Sequence, residues 1–372
     1  MTGNRADRAG AILEIDLAAI AENWRLLAQR VKPATCAAVV KADAYGLGAG
    51  QVAPTLAAAG CRRFFVATVE EGIALRSVLP ESAEIAVLNG LLPRCAGDFT
   101  EFRLVPVLND SGQITDWRSA AARHGERTAM LHLDTGMARL GLTIREFGGL
   151  TDELLRPGPI RWRALISHLA CPDEPRHPLN GIQLRRFAAA RGRLSYVLAS
   201  LAASSGIFLG PAFHYDFVRA GAALYGVNPR PGRPHPMHQV VRLKGRILQI
   251  REVDRGQSVG YGASHVMDAP GRLATVAVGY ADGWLRSMSQ RGSGHLGGRR
   301  VPLVGRVSMD LTVFDVSGVD PALARPGEFI DLLHEDYGVD AAAADAGTIG
   351  YEILTSLGRR YHRIYRNLPG QC

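Results

Sequence analysis

Lys41 is one of only three lysines, with Lys32 and Lys244, in a chain of 43 basic residues, and it closes the apolar run AAVVK just before the turn ADAYGLG. An ammonium group on a buried strand is costly unless it is paired or neutralised. Burial favours the neutral amine, a nucleophile for carbonyl carbon, so the placement points to Schiff-base chemistry with an aldehyde cofactor or a carbonyl substrate. Other reactive types also follow apolar runs: Asp134 to Arg139 in DTGMAR, His168, the Ser204-Ser205-Gly206 turn, and Arg219-Ala220-Gly221. Each alone has a plain structural reading. Lys41 could snorkel, Arg139 could sit in an ion pair, and His168 could be a core histidine. Their convergence on one rim is much harder to explain that way.

The elements that must bring them together are read from periodicity. Short β-branched runs alternate with helical stretches from residue 35 to 226, giving candidate strands at Thr35–Lys41, Arg63–Val69, Glu84–Leu91, Arg103–Leu108, Ala129–Leu133, Arg163–Ser167, Tyr196–Ala199 and Phe217–Leu224. Candidate helices lie at Val69–Val78, Ser111–His124, Ile144–Arg156 and Gly181–Leu194, with weaker ones after the third and seventh strands. Eight βα units predict a (β/α)8 barrel, a TIM-like α/β fold, because parallel strands need crossover helices and eight of them close around a packed interior. A doubly wound sheet competes, but the strand count and the lack of a GxGxxG turn oppose it. In a barrel active sites form at the C-terminal ends of strands, where the reactive residues above fall, except that Arg219-Ala220-Gly221 sits within the eighth strand. Barrels commonly bind phosphate at the seventh and eighth strands with Gly-rich segments and backbone N–H groups, which SSG and RAG supply. Pyridoxal 5'-phosphate, a phosphorylated aldehyde, meets both demands.

The stretch NPRPGRPHP, 228–236, reads as a linker. Beyond it VVRLKGRILQIREV, RLATVAVGY, RVPLVGRVSMDLTVFDV and EFIDLL read as antiparallel strands, and GTIGYEILTSLGRRY as one late helix. The domains are therefore placed at 1–236, a cofactor-binding barrel, and 237–372, a mostly-β domain; the first strand, about 11–16, is open to pairing with the second domain. AAAADAG is read as a short low-complexity run.

At 372 residues, 47% hydrophobic and 21% charged, the composition is that of a globular protein. The +8 net charge is spread along the chain with no basic cluster interleaved with aromatics, which argues against a nucleic-acid partner. No segment reads as a secretory leader or a membrane span, and Cys36, Cys61, Cys95, Cys171 and Cys372 form no CxxC pair. The expectation is a cytoplasmic protein with reduced cysteines, no membrane association and no metal.

The segments VVKADAYG, LDTGMARLG, SHL, ASSGI, DFVRAGAALYG, SVGYG, VGYADG, GRVSMD and TIGYEILT, in that order, resemble bacterial alanine racemase over essentially the whole chain. The resemblance implies a pyridoxal-phosphate-dependent isomerase that interconverts L- and D-alanine by two bases, supplying D-alanine for peptidoglycan or consuming it. By that resemblance Lys41 holds the cofactor and serves one face of the substrate. Tyr261 serves the opposite face from a partner subunit, so the active sites are shared in a homodimer. Tyr45, His168, Ser204, Gly221 and Tyr351 match cofactor-holding positions, Arg219 faces the pyridine nitrogen, and Arg139 meets the cofactor phenolate and the substrate carboxylate. Met309 and Asp310 match substrate contacts, and Tyr280, Tyr351, Arg286, Arg306 and Asp173 look like a narrow polar mouth suited to alanine. A guanidinium only donates, so it keeps the ring nitrogen neutral and favours reprotonation over transamination.

The chain departs from the family pattern at five positions. His132 stands where many members have a lysine that becomes carbamylated and positions the neighbouring arginine; a bound anion such as chloride is one reading of how Arg139 is held instead. Leu47, Ala203, Ala220 and Gly350 also differ. The alternatives are a serine or broader amino-acid racemase, a barrel decarboxylase, which Arg219 opposes, and a non-catalytic carrier of the cofactor, which would not need the β domain.

Overall fold

The computed structural model describes residues 5–154 and 159–367, and its first strand, β1 (Ala11–Asp16), follows a 3-10 turn at Arg5–Arg8. Leu155 and Arg156, the predicted end of one helix, and Cys372 lie outside the described residues. Two compact units divide the chain. One comprises Ile20–Ala44 and Gly48–His238; the other comprises the described residues up to Ala19, Tyr45–Leu47, and those from Gln239 on.

In the first unit eight parallel strands follow in sequence: β2 (Thr35–Val39), β3 (Arg63–Val66), β4 (Glu84–Val87), β5 (Leu104–Leu108), β6 (Arg127–His132), β7 (Ile160–Ile166), β8 (Leu198–Ser200) and β9 (Phe217–Ala220). They pair in the order β8-β7-β6-β5-β4-β3-β2-β9. A parallel bridge between Ala203 and Arg219, with Arg219 N donating to Ala202 O at 3.0 Å, brings the two ends together as a nearly closed (β/α)8 barrel. The strands are buried almost throughout, as crossover helices on the outer face require. The helices start where capping residues satisfy their free N–H groups: Thr68 and Glu71 form a capping box for Val69–Arg76, and Asp110 accepts from Gln113 N at the head of Ser111–His124.

Several strands are shorter than periodicity predicts. The first barrel strand stops at Val39 rather than Lys41, and the last at Ala220 rather than Leu224, because both turn sharply there: a left-handed turn follows the first and a 3-10 turn, Ala222–Tyr225, the last. Apolar residues in such turns still bury their side chains, which is why the runs looked longer. The weak helix after the third barrel strand is Ala96–Glu101, whereas two 3-10 turns, Ser205–Leu209 and Pro211–Phe213, follow the seventh.

The second unit is built on β10 (Val241–Val253), β13 (Gly271–Val276), β14 (Ser293–Leu296), β15 (Arg299–Val304), β16 (Thr312–Asp315), β17 (Phe329–Leu333) and β18 (His362–Arg366), with a small ribbon of β11 (Ser258–Val259) and β12 (His265–Val266). The order β13-β16-β15-β14-β17-β10 closes on itself through β10–β13 pairing, and β1 adds to β10 antiparallel and to β18 parallel. Gly245 permits this closure, since a Cβ there would lie 2.4 Å from a Val276 methyl. The AAAADAG run lies in a helix, Val339–Ala346, followed by Gly350–Ser356. Among the described residues no helix is long and apolar enough to cross a membrane.

Candidate active site

Lys41 opens the turn after β2 and its side chain is half-buried. Ala42, Asp43, Ala44 and Tyr45 follow in the left-handed helical region, with φ between 52° and 55°. Four non-glycine residues there cost roughly 1–2 kcal/mol each, so the surroundings must hold the turn in place. Glu71 does so at one end, accepting from Ala42 N at 2.6 Å and from Ala67 N at 2.7 Å, while Asp43 accepts from Ala49 N at 2.7 Å. Buried Tyr225 donates its hydroxyl to Val39 O at 2.9 Å, just before the lysine. The Lys41 amine is pushed below the usual lysine range, first by burial and then by the charge of Arg139, with Glu71 opposing.

The ends of the neighbouring strands converge on it. Arg219, on β9, is 3% exposed, and its Nη1 donates to Ser200 O at 2.9 Å and Ser200 Oγ at 2.6 Å, while Nη2 donates to Ser167 O. No described residue engages its Nε–H, which leaves one oriented donor on a fixed cation. Burial lowers the guanidinium to about 10, still protonated at neutral pH. Ser204 Oγ accepts from Gly221 N at 3.0 Å and Ala223 N at 3.2 Å, gathering backbone donors around one hydroxyl at the start of a 3-10 turn. His168 and His132 are held neutral, at about 3 and about 4, chiefly by burial and then by the charges of Arg219 and Arg139.

Arg139 is carried by a loop that Asp134 shapes. The carboxylate accepts from Gly136 N and Met137 N at 2.8 Å and from Ala138 N at 2.9 Å. Thr135 and Ser167 share a hydroxyl–hydroxyl bond of 2.8 Å, and Gln183 donates to both Thr135 Oγ1 and His168 O, so the loops after β6 and β7 form one assembly.

In the second unit Tyr45 is buried beside Tyr351, with ring centroids 6.1 Å apart, and burial followed by the Tyr351 hydroxyl pushes its phenol up. Arg363 donates to Gly46 O at 2.6 Å and Tyr365 to Leu47 O at 3.0 Å, seating this short segment on β18. Tyr261 stands at a 3-10 turn after Gly260 and is 70% exposed, Met309 is 54% exposed, and Asp310 carries an ion pair to Arg360. The predicted residues thus fall into three groups: Lys41, Arg139, His168, Ser204, Arg219 and Gly221 at the barrel rim, Tyr45 with Tyr351, and Tyr261 with Met309 and Asp310 at the surface. No group of His, Cys, Asp or Glu among the described residues is arranged to hold a metal.

The profile of the alanine racemase N-terminal domain matches residues 15–229, and that of the C-terminal domain matches residues 240–365. An alanine racemase of Rhodospirillum rubrum is 53% identical over 364 residues, covering 96% of either chain. The chain belongs to the alanine racemase family. A catabolic alanine racemase of Mesorhizobium japonicum is 47% identical over 358 residues, covering 96% of this chain and 93% of that one. The crystal structure of alanine racemase from Bartonella henselae with covalently bound pyridoxal phosphate superposes with a TM-score of 0.92 at 41% identity, over 96% of this chain and 99% of that one.

Sequence reasoning about this racemase fold missed Glu71, Asn109, Asp134 as a loop organiser, and Arg360. Glu71 carried a readable signal, since a TxxE pair before a helix is a capping box. Asp134 acts on backbone N–H groups only two to four residues ahead, whereas Asn109 and Arg360 act through contacts distant in sequence that no spacing reveals.

Proposed function

We infer that the chain interconverts L- and D-alanine with pyridoxal 5'-phosphate, on a site completed by a second copy of the chain. The observation that carries this is the pairing at one barrel rim of an amine driven toward its neutral form, Lys41, with a buried cation that can only donate, Arg219. The donor set fits the cofactor. Ser204 and the Gly221 backbone suit a phosphate, joined in this reading by Tyr45 and Tyr351; the Arg219 guanidinium suits an unprotonated ring nitrogen; the Lys41 amine suits an aldehyde carbon. His168 would lie against the ring, and Arg139 would take the phenolate oxygen.

Pyridoxal phosphate, when bound, supplies the electron sink that acidifies the amino-acid Cα–H. The remaining work belongs to the side chains. Arg139 binds the carboxylate, Met309 and Asp310 of the second copy add further substrate contacts, and together they fix Cα between two bases. Lys41 Nζ takes or returns the proton on one face, and Tyr261 Oη of the second copy serves the other. Arg219 keeps its proton and can only donate, so it would leave a ring nitrogen facing it neutral, a weaker electron sink that favours reprotonation at Cα. The narrow mouth of Tyr280, Tyr351, Arg286, Arg306 and Asp173 restricts the substrate to alanine size.

The exposure of Tyr261, Met309, Ile349 and Tyr351 supports a homodimer, because apolar and aromatic groups of that size are candidates for cover by another chain. The four cysteines unpaired among the described residues suit a reducing cytoplasm. The division into a cofactor-binding barrel, 1–236, and a β domain, 237–372, is part of the same reading. Chiral chromatography after incubation of L-alanine with the purified protein and cofactor tests it. Equal D- and L-alanine is the expected result, and unchanged L-alanine would refute the assignment.

A further inference from the structure

The N-terminal ends of the barrel strands, opposite the rim that carries Lys41, frame a recess of about 700 Å³ that no step of the reaction uses. Its floor is an ion triad that crosses the barrel. Glu84, at the start of β4, accepts from Arg63 Nε on β3 and from Arg163 Nε on β7 at 2.7 Å, although β5 and β6 lie between β4 and β7. Arg63 also lies over the Phe217 ring, 4.3 Å from its centroid. One carboxylate thus serves two guanidinium groups.

The walls are no better balanced. Arg103, held in the left-handed region at φ 50°, pairs with Glu81. Lys32, Arg62 and Arg76 line the same recess and form an ion pair with no carboxylate among the described residues. Arg76 is fixed by donating to Phe102 O at 3.1 Å, Pro80 O and Ala83 O at 3.0 Å, and Arg103 O at 3.1 Å. Burial and then the charge of Arg103 push it below the usual arginine range. Six cations against two carboxylates leave an excess of four positive charges in one recess, half of the +8 carried by the whole chain. Charges gathered for stability alone would lie near balance, since uncompensated like charges on a concave wall repel one another and focus a potential into the cleft.

We propose that this recess binds a small polyvalent oxyanion, a compact molecule bearing several phosphate or carboxylate groups, at the end of the barrel opposite Lys41. Guanidinium forks match both kinds of group, and a monovalent ion would leave most of the excess charge uncompensated. Lys32, Arg62 and Arg103 are exposed and free to turn toward the ligand, whereas Arg76 and the triad form a fixed base. The inference does not depend on which reaction the rim performs.

Isothermal titration calorimetry of the holoenzyme, whose cofactor fills its own phosphate site, tests this with pyrophosphate and with citrate at constant ionic strength. Saturable binding at a single site per chain is expected with at least one of them, and their relative affinity tells whether phosphate or carboxylate is preferred. The Lys32→Gln, Arg62→Gln double variant should weaken binding about 10-fold. Glu81→Gln, which frees Arg103, should tighten it about 3-fold, a gain that a damaged fold would not produce. If the double variant fails to fold, Glu81→Gln alone decides. No saturable binding of either anion, an affinity unchanged in either folded variant, or competition of the bound anion with alanine in steady-state assays would overturn the proposal. Failure of the racemase reading shows separately, as no alanine turnover by the unaltered protein.

Discussion

Arg360 grips the buried carboxylate of Asp282 with two parallel hydrogen bonds, Nε to Oδ1 at 2.6 Å and Nη2 to Oδ2 at 2.8 Å, while its Nη1 reaches Asp310 at 2.7 Å. Asp282 also accepts from Gly279 N at 2.9 Å, and Tyr280 N and Ala281 N donate to Ser308 O and Met309 O. One guanidinium therefore braces the turn carrying Tyr280 and the loop carrying Met309 and Asp310.

Removing that brace leaves Asp282 buried and short of partners. Arg360→Ala is expected to lower stability by about 1–3 kcal/mol and to raise KM for alanine more than it lowers kcat. Urea unfolding and steady-state kinetics read the two effects, and Arg360→Lys, which lacks the bidentate fork, should fall between.

The pH dependence of stability has a definite sign. His132 and His168 titrate near 4 and 3 in the folded chain, against about 6.5 in an unfolded one. Above pH ~6.5 neither contributes. Below it the unfolded chain takes up protons that the folded chain refuses, so stability falls until the pH reaches the folded values. Calorimetry should show Tm declining between pH 7 and pH 5, with a shallower decline in His168→Gln. A Tm that rises over this interval would contradict the burial of these rings.

The left-handed turn trades stability for placement of Lys41. Ala42→Gly removes a penalty of roughly 1–2 kcal/mol and adds roughly 0.5–1 kcal/mol of unfolded-state entropy, so the variant should be equally stable or slightly more so. A looser turn should also reduce kcat several-fold with the cofactor still bound. Thermal melts and initial rates check both halves.

Ser204 is expected to matter for holding the cofactor rather than for proton transfer. Ser204→Ala deprives Gly221 N and Ala223 N of their shared acceptor. It should weaken cofactor retention on the order of 10-fold, read as the absorbance left after gel filtration, with a smaller change in kcat at saturating cofactor.

Much of this architecture was legible because the chemistry depends on uncommon residue choices. Lysine is scarce in the chain, and Lys41 stands out at the end of an apolar run. The βα rhythm likewise exposed eight parallel strands. The turn that presents Lys41 was not legible, since KADAY contains no glycine to mark positive φ, and its conformation is imposed by Glu71 and Asp43. Asn109 and His132 lie 23 residues apart at the ends of neighbouring strands, a relation that the parallel pairing of β5 with β6 creates and no local spacing marks. The helix Val339–Ala346 was read as low complexity because its alanines carry little periodic contrast.

The central claim is that Lys41 and Tyr261 act on opposite faces of one carbon. The most direct measurement is α-deuterium incorporation from D2O into L-alanine and D-alanine separately, by the unaltered enzyme and by Tyr261→Phe. The unaltered enzyme should label both while inverting them. The variant should keep its cofactor, lose inversion by about 10²–10⁴-fold, and still exchange the α-hydrogen of one enantiomer with retention. Equal exchange of both enantiomers by Tyr261→Phe, or inversion at the original rate, would contradict the two-base account.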